Sequence, residues 1–162
     1  MPVIRHATAA DAEAFTQVFL DCWNVSYSRI MPEALIERMT AERALSLWQD
    51  ALGAGTDTYL AAVDADGGVA GFVGYRLTGP GTGYVSSLYV SPYAQGGGYG
   101  RTLLADAEQG LRDLGAREAK LWVFEQNAPS RGFYEKAGWR LDGTRETLTE
   151  WGEPQVGMAR EL

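Results

Sequence analysis

The segment that most constrains this chain is a glycine-rich loop between a strand-like apolar run and an amphipathic helix. The loop reads Gln-Gly-Gly-Gly-Tyr-Gly-Arg over residues 95–101. Glycine lets the backbone turn tightly and lets an anion reach peptide N–H groups, because no Cβ stands in the way. A helix N-terminus adds unpaired N–H donors and a favourable dipole. The pattern therefore favours a phosphate-binding loop over a flexible turn, which would not need a helix at its end.

Spacing separates three phosphate-binding designs that use such a loop. A P-loop ends in Gly-Lys-Ser/Thr, which is absent here. A dinucleotide-binding fingerprint that begins at Gly98 would need glycine where Leu103 stands. The remaining pattern is Gln95-x-x-Gly98-x-Gly100, two residues after a Leu-Tyr-Val-Ser-Pro run.

A second motif follows at residues 127–139, Asn-Ala-Pro-Ser-Arg-Gly-Phe-Tyr-Glu-Lys-Ala-Gly-Trp. In this order the two motifs resemble those of the GCN5-related N-acetyltransferase (GNAT) family, and the likeness covers nearly the whole chain. It implies that the strands at residues 88–90 and 120–124 run parallel and splay apart, with the pantetheine arm of acetyl-CoA between them. No metal is implied.

The resemblance also assigns cofactor contacts by position. Three strand residues would pair their backbone with pantetheine, the glycine-rich loop would hold the pyrophosphate, and the start of the short helix would hold the pantetheine arm. The residues so assigned are Leu88, Tyr89, Val90, Gln95, Gly96, Gly97, Gly98, Tyr99, Gly100, Arg101, Asn127 and Ser130.

Hydrophobic periodicity and turn residues predict an α+β fold in the element order βααβββαβαββ. The resemblance implies a mixed, mostly antiparallel central sheet with helices on both faces. Because the sequence contains no linker and no internal repeat, we expect one domain over residues 1–162. We predict strands at residues 3–7, 58–63, 69–77, 84–90, 120–124, 139–141 and 155–161, two or three helices between the first two strands, and helices at 101–114 and 130–137.

Composition excludes several kinds of partner and compartment. The chain has 14 basic and 21 acidic residues, a net charge of −7 that disfavours nucleic acid and usually means solubility, although it would also suit a basic substrate. Cys22 is the only cysteine, so no internal disulfide forms and we expect a cytoplasmic protein. The first residues lack the apolar region of a signal peptide and no stretch approaches the length that spans a bilayer, so we expect no membrane partner. A homodimer is left open.

The resemblance points to Tyr134 as the residue that protonates the departing thiolate, although a tyrosine beside Phe133 is also what core packing would use. An amine must also lose a proton. Many relatives carry an acidic residue on the central strand, whereas residues 84–90 contain none. Glu125, after the following strand, is the nearest carboxylate in sequence; the alternative is a solvated strand end. His6 and Cys22 are interpreted as structural.

Trp23 and Tyr27 stand four residues apart in a stretch that resembles a bacterial branch of the family with polyamine acetyltransferases among its members. There this region forms one wall of the acceptor site. An uncovered aromatic pair can hold a cation, and it can equally be core packing. We therefore expect transfer of acetyl to a primary amine of a small molecule, a polyamine first. The alternatives are another acyl donor, an oxygen acceptor, a protein N-terminus, or a non-catalytic CoA-binding sensor or subunit.

Overall fold

The computed structural model describes residues 2–149 and 152–162. In these ranges the chain forms seven strands in a single sheet and five α-helices. The strands are β1 (Val3–His6), β2 (Thr58–Val63), β3 (Val69–Gly79), β4 (Thr82–Val90), β5 (Glu118–Phe124), β6 (Arg140–Thr147) and β7 (Pro154–Glu161). The helices are α1 (Ala12–Asp21), α2 (Glu33–Arg38), α3 (Ala41–Ala54), α4 (Tyr99–Asp113) and α5 (Ala128–Lys136).

A 3₁₀ turn, Ala9–Asp11, leads into α1 and begins where the predicted capping residues stand. Asp11 Oδ2 accepts a hydrogen bond from Thr8 N at 2.9 Å, while Thr8 Oγ1 accepts one from Ala10 N at 3.3 Å. Because both backbone donors would otherwise lack partners, this reciprocal capping fixes the start of the helical segment. After α1 the chain widens into a π-helical segment, Cys22–Ser26, followed by a 3₁₀ turn, Tyr27–Arg29.

The strand order is β1-β2-β3-β4-β5-β7-β6. Within the described residues, all neighbouring strands are antiparallel except β4 and β5. That parallel pairing covers only three residue pairs: Thr82 with Glu118, Gly83 with Ala119, and Tyr84 with Lys120. Beyond these pairs the two strands separate, so a gap opens in the middle of the sheet.

The sheet carries a core on each face. On one face, α1 and α3 cover an aromatic cluster in which the ring of Phe15 stacks on Phe72 with centroids 3.9 Å apart, and Trp48 meets Phe72 edge-on at 4.7 Å. On the other face, α4 buries Leu103 and Leu111 against the sheet. Each helix therefore hides one apolar stripe, and the gap between β4 and β5 lies between the two cores.

This architecture confirms the predicted fold class. The three helices between β1 and β2 lie within the predicted two or three. Several element bounds differ by a few residues, and the largest difference is β6, which extends to Thr147. All eight residues of β6 are exposed, so that strand has no alternation of apolar and polar residues by which hydropathy could find it. None of the helices in residues 2–149 and 152–162 has the length and apolar character needed to cross a bilayer.

Candidate active site

The glycine-rich loop ends at Gly98, the N-terminal cap of α4, whose backbone adopts φ +78°. No side chain caps this helix end. The first helical hydrogen bond runs from Thr102 N to Gly98 O at 3.1 Å. The N–H groups of the preceding helical residues are therefore left for another acceptor, and a phosphate oxygen is the acceptor that a helix N-terminus attracts best.

A cavity of about 780 Å³ lies against this helix end; we call it the loop cavity. It runs from the glycine-rich loop past β4 to the start of α5. All the predicted cofactor residues line it except Gly97 and Asn127. A Cβ at Gly97 would lie 2.8 Å from the ring of Tyr99, so Gly97 faces that ring, while Asn127 caps α5 by accepting a hydrogen bond from Ser130 N at 3.2 Å.

A second cavity, about 280 Å³, lies in the opening between β4 and β5; we call it the gap cavity. Its walls come from β4, β5 and the aromatic side chains of the α1 and α3 face, and Asn127 is part of them. The two cavities share a small set of lining residues: Tyr27, Leu88, Tyr89, Ser130 and Tyr134. A group placed at these residues can be reached from both sides of the sheet.

The backbone of β4 presents polar groups to this junction that β5 does not pair. Ser91 N donates to Ala70 O at 2.8 Å, toward β3. Since N–H groups alternate between the two edges of a strand, those of Leu88 and Val90 point toward the gap and that of Tyr89 points toward β3. Cys22 Sγ donates to Val90 O at 3.2 Å, which agrees with this direction. An extended amide chain such as pantetheine fits against this edge.

Tyr134 lies at the junction with 9% of its surface exposed. Its ring contacts Phe133 and Trp139, with centroids 5.4 and 6.2 Å away. Burial raises the pKa of its phenol well above the ordinary value, so the hydroxyl stays protonated at neutral pH. This position, packed in the core and at the junction of both cavities, is compatible with both roles that the sequence left open, packing and proton donation.

Burial also raises the pKa of Tyr27 and Tyr89, whose phenols lie near Tyr134. Above about pH 10 the unfolded chain loses protons that these folded tyrosines keep, so the stability they give is complete below that pH and falls as pH rises. We expect chemical denaturation at pH 8–11.5 to show a falling free energy of unfolding above pH 10. Tyr134→Phe should lessen the slope by up to about 1.4 kcal/mol per pH unit; equal slopes in both proteins would contradict this.

Glu125 lies outside the cavity linings formed by the described residues. Its side chain is 38% exposed and pairs with Arg145 on β6, with Oε2 and Nη2 3.1 Å apart. This arginine lowers the pKa of the Glu125 carboxyl. The chain turns at the end of β5 and directs this carboxylate toward β6 instead of the gap, so the cavity geometry gives no support to the predicted role of Glu125 as base.

Trp23 is 2% exposed, so this ring packs in the core, which is one of the two alternatives that the sequence left open. Its ring packs among Phe19, Tyr27 and Phe124, with centroids 5.7, 5.2 and 6.4 Å away. The π-helical segment directs Trp23 into the aromatic core, while Tyr27 is partly exposed and lines both cavities. Trp23 also lines the gap cavity, so both residues of the pair border the site.

Sequence reasoning missed two features of the cavity walls. Ser86 and Ser87 line the gap cavity, and a serine pair inside an otherwise apolar strand was the available signal. Cys22 lines the loop cavity, where burial raises its pKa to about 12. A thiol that stays protonated at neutral pH is a poor nucleophile. No cluster of three metal-ligating side chains occurs in the part of the chain that the structure describes.

Comparison with known proteins identifies the family. Residues 12–139 match the model of the acetyltransferase (GNAT) family. The chain is 39% identical over 128 residues to an aminoglycoside N(6')-acetyltransferase type 1 of Stenotrophomonas maltophilia, covering 72% of each protein. It is 26% identical over 145 residues to a spermidine N(1)-acetyltransferase of Thermoplasma acidophilum, covering 87% of this chain and 89% of that one.

Solved structures agree with the fold. The PaiA N-acetyltransferase of T. acidophilum, in complex with coenzyme A, superposes with a TM-score of 0.79 and 24% identity, covering 100% of this chain and 99% of that one. This structural likeness supports the fold. The family match and the 39% identical relative support acetyl transfer as the chemistry. The chain therefore belongs to the acetyltransferase (GNAT) family of acyl-transferring enzymes.

Proposed function

We propose that this enzyme transfers the acetyl group of acetyl-CoA directly to a primary amine of a small molecule, and that a polyamine is the leading substrate class. The observation that carries the proposal is the meeting of the two cavities at Tyr134. A cofactor in the loop cavity and an amine in the gap cavity would approach each other only there. Holding both in one complex removes most of the entropic cost of their encounter.

Each chain group at the junction has a role in this reaction. Bound acetyl-CoA supplies the acetyl thioester. The gap-facing N–H groups of Leu88 and Val90 are the donors available to hold the pantetheine arm and the thioester carbonyl oxygen, on which negative charge grows during attack. Tyr134, whose phenol is protonated at neutral pH, donates its proton to the departing sulfur. A protonated Cys22 thiol leaves direct transfer as the simpler route.

The gap cavity suits an amine with a further positive charge. Tyr84, Trp122 and Gln155 line it, and Gln155 Nε2 donates to Glu146 Oε1 at 2.8 Å. The pKa of Tyr84 is raised by burial above all, and the carboxylates of Asp57 and Glu146 add to this against the opposing effect of Arg76. Glu146 therefore lies close enough to the cavity wall to attract a second ammonium group. The spermidine and aminoglycoside acetyltransferases among the relatives support the same class of substrate.

We expect 1,4-diaminobutane to have a higher kcat/KM than butylamine, and Glu146→Gln to reduce that advantage about two- to fivefold, the range of an exposed ion pair. The measurement is steady-state release of CoA from acetyl-CoA. Glu153→Gln is the matched control, since Glu153 also accepts from a glutamine, Gln126, at 2.9 Å but lies outside the cavity walls that the structure describes.

Two results would count against the proposal. Equal kcat/KM for the monoamine and the diamine would exclude the polyamine reading while keeping amine acetylation. Saturable acetyl-CoA binding without turnover on amines, amino acids, aminoglycosides or peptide N-termini would instead favour a CoA-binding sensor.

A further inference from the structure

A buried carboxylate stands behind the wall of the gap cavity. Asp57 directly precedes β2 in sequence, and its side chain is 9% exposed. Its Oδ1 accepts from Arg76 Nη1 at 2.9 Å, and its Oδ2 accepts from Ser86 Oγ at 2.5 Å and from Tyr59 OH at 3.3 Å. Burial of a carboxylate is costly unless it is paired and hydrogen-bonded, so this arrangement is well defined.

Ser86 joins this carboxylate to the cavity. The register of β3 and β4 shifts between Gly74, opposite Ser87, and Tyr75, opposite Val85, so Ser86 is the extra residue of a β-bulge. A Cβ at Gly74 would overlap the ring of Tyr59 and lie 2.8 Å from Ser86 Oγ. Glycine at this position makes the room in which the two hydroxyls reach Asp57, while Ser86 also lines the gap cavity.

The short contact to Asp57 fixes the polarity of the Ser86 hydroxyl. A hydroxyl has one proton and two lone pairs, and an ionised carboxylate can only accept. Ser86 therefore donates its proton to Asp57. Toward a molecule in the cavity, the Ser86 oxygen can only accept a hydrogen bond. An amine N–H satisfies that capacity, whereas a carbonyl or ether oxygen does not.

We propose that Ser86 binds the acetyl-accepting amine and that Asp57 is a positioning residue that takes up, through Ser86, the proton which the amine loses. The inference rests on the proposed amine acetylation. As the C–N bond forms and the C–S bond breaks, the amine proton passes to Ser86 Oγ, and the Ser86 proton passes to Asp57 Oδ2. Tyr134 gives its own proton to sulfur. Asp57 then releases its proton to solvent and Tyr134 takes one up from solvent, so both groups return to their starting state and, in net, one proton has passed from the amine to the CoA thiol.

The other charged and titratable groups facing Asp57 come from three strands. Tyr59 on β2 and Arg76 on β3 hold it directly, and Arg76 lies over the ring of Tyr84 on β4, with its guanidinium carbon 4.7 Å from the ring centroid. Arg76 occupies Oδ1, so Oδ2 remains for the serine. This pairing explains how a relay can work although β4 itself carries no acidic residue.

The test compares Asp57→Asn, Ser86→Ala and the double variant with the wild-type enzyme, using acetyl-CoA and 1,4-diaminobutane. Each single variant should lower kcat about ten- to hundredfold with KM for acetyl-CoA unchanged. The double variant should be no slower than the slower single one, because the two residues act as a unit. Asp50→Asn, an exposed carboxylate change on α3, is the matched control and should keep full activity.

A pH series separates proton uptake from a structural role. Between pH 7 and 9.5, buffer and hydroxide increasingly take the amine proton. The ratio of the wild-type kcat to the Asp57→Asn kcat should therefore fall as pH rises. Each of three results would overturn the relay: near-wild-type kcat in both single variants, losses of kcat that multiply in the double variant, or a ratio of wild-type to Asp57→Asn kcat that does not change with pH.

Failure of the proposed function gives a different result. If the wild-type enzyme acetylates no amine, calorimetric titration of 1,4-diaminobutane into the CoA complexes of wild type and Ser86→Ala still decides whether Ser86 binds amines. Weaker binding by the variant supports that part of the inference, and equal binding overturns it.

Discussion

Replacement of Tyr134 by phenylalanine is expected to lower kcat about a hundredfold or more while leaving the affinity for acetyl-CoA within about twofold. The substitution keeps the ring that packs against Phe133 and Trp139 and removes only the hydroxyl. A thiolate leaving without a proton donor must carry its full negative charge in a buried site, which raises the barrier. Ring packing alone would predict a small loss of stability and no loss of turnover.

The measurement is single-turnover acetylation at saturating amine, together with calorimetric titration of acetyl-CoA. Tyr93→Phe is the matched control, because Tyr93 is 78% exposed and lies outside both described cavity linings. Tyr27→Phe and Tyr89→Phe test the other two phenols at the junction. Full turnover in Tyr134→Phe with a large loss in either of these would assign proton donation to a different tyrosine.

Local chemistry made the cofactor side of this site predictable from sequence. A glycine at a helix N-terminus has the same meaning wherever the helix lies, and the loop cavity does form around residues 95–101. The gap between β4 and β5 is different: two strands 28 residues apart in sequence separate after three residue pairs, and only the family resemblance pointed to this. Periodicity can identify a strand but cannot show which of its edges remains unpaired.

The proton-accepting side could not be predicted in the same way. Asp57 and Ser86 are 29 residues apart and meet across β2, β3 and β4 because of the strand register and one bulge. A shift of one residue would move Ser86 to the other face of the sheet. Glu125 is closer in sequence to the second motif, yet its position at a turn directs it to Arg145. Nearness in sequence therefore does not place a carboxylate at the gap cavity.

Substitution of Gly98 by valine is expected to weaken acetyl-CoA binding about ten- to hundredfold, as loss of hydrogen bonds to a charged group would. Gly98 lines the loop cavity, and no atom within 4 Å would contact a Cβ added there, so packing within the chain does not require glycine. Two requirements remain: the positive φ of +78°, and room for an anion at the start of α4. A valine side chain would stand where the anion approaches the N–H groups of α4.

Gly55→Val is the control that distinguishes the effect of backbone strain from the loss of acetyl-CoA binding. Gly55 ends α3 with φ +68°, also has no atom within 4 Å of an added Cβ, and lies outside both described cavity linings. Both substitutions should therefore destabilise the fold by a similar amount, about 1–2 kcal/mol, in chemical denaturation. Only Gly98→Val should weaken binding in calorimetric titration with acetyl-CoA. If a folded Gly98→Val protein bound acetyl-CoA as tightly as Gly55→Val, the pyrophosphate would have to lie elsewhere in the loop cavity.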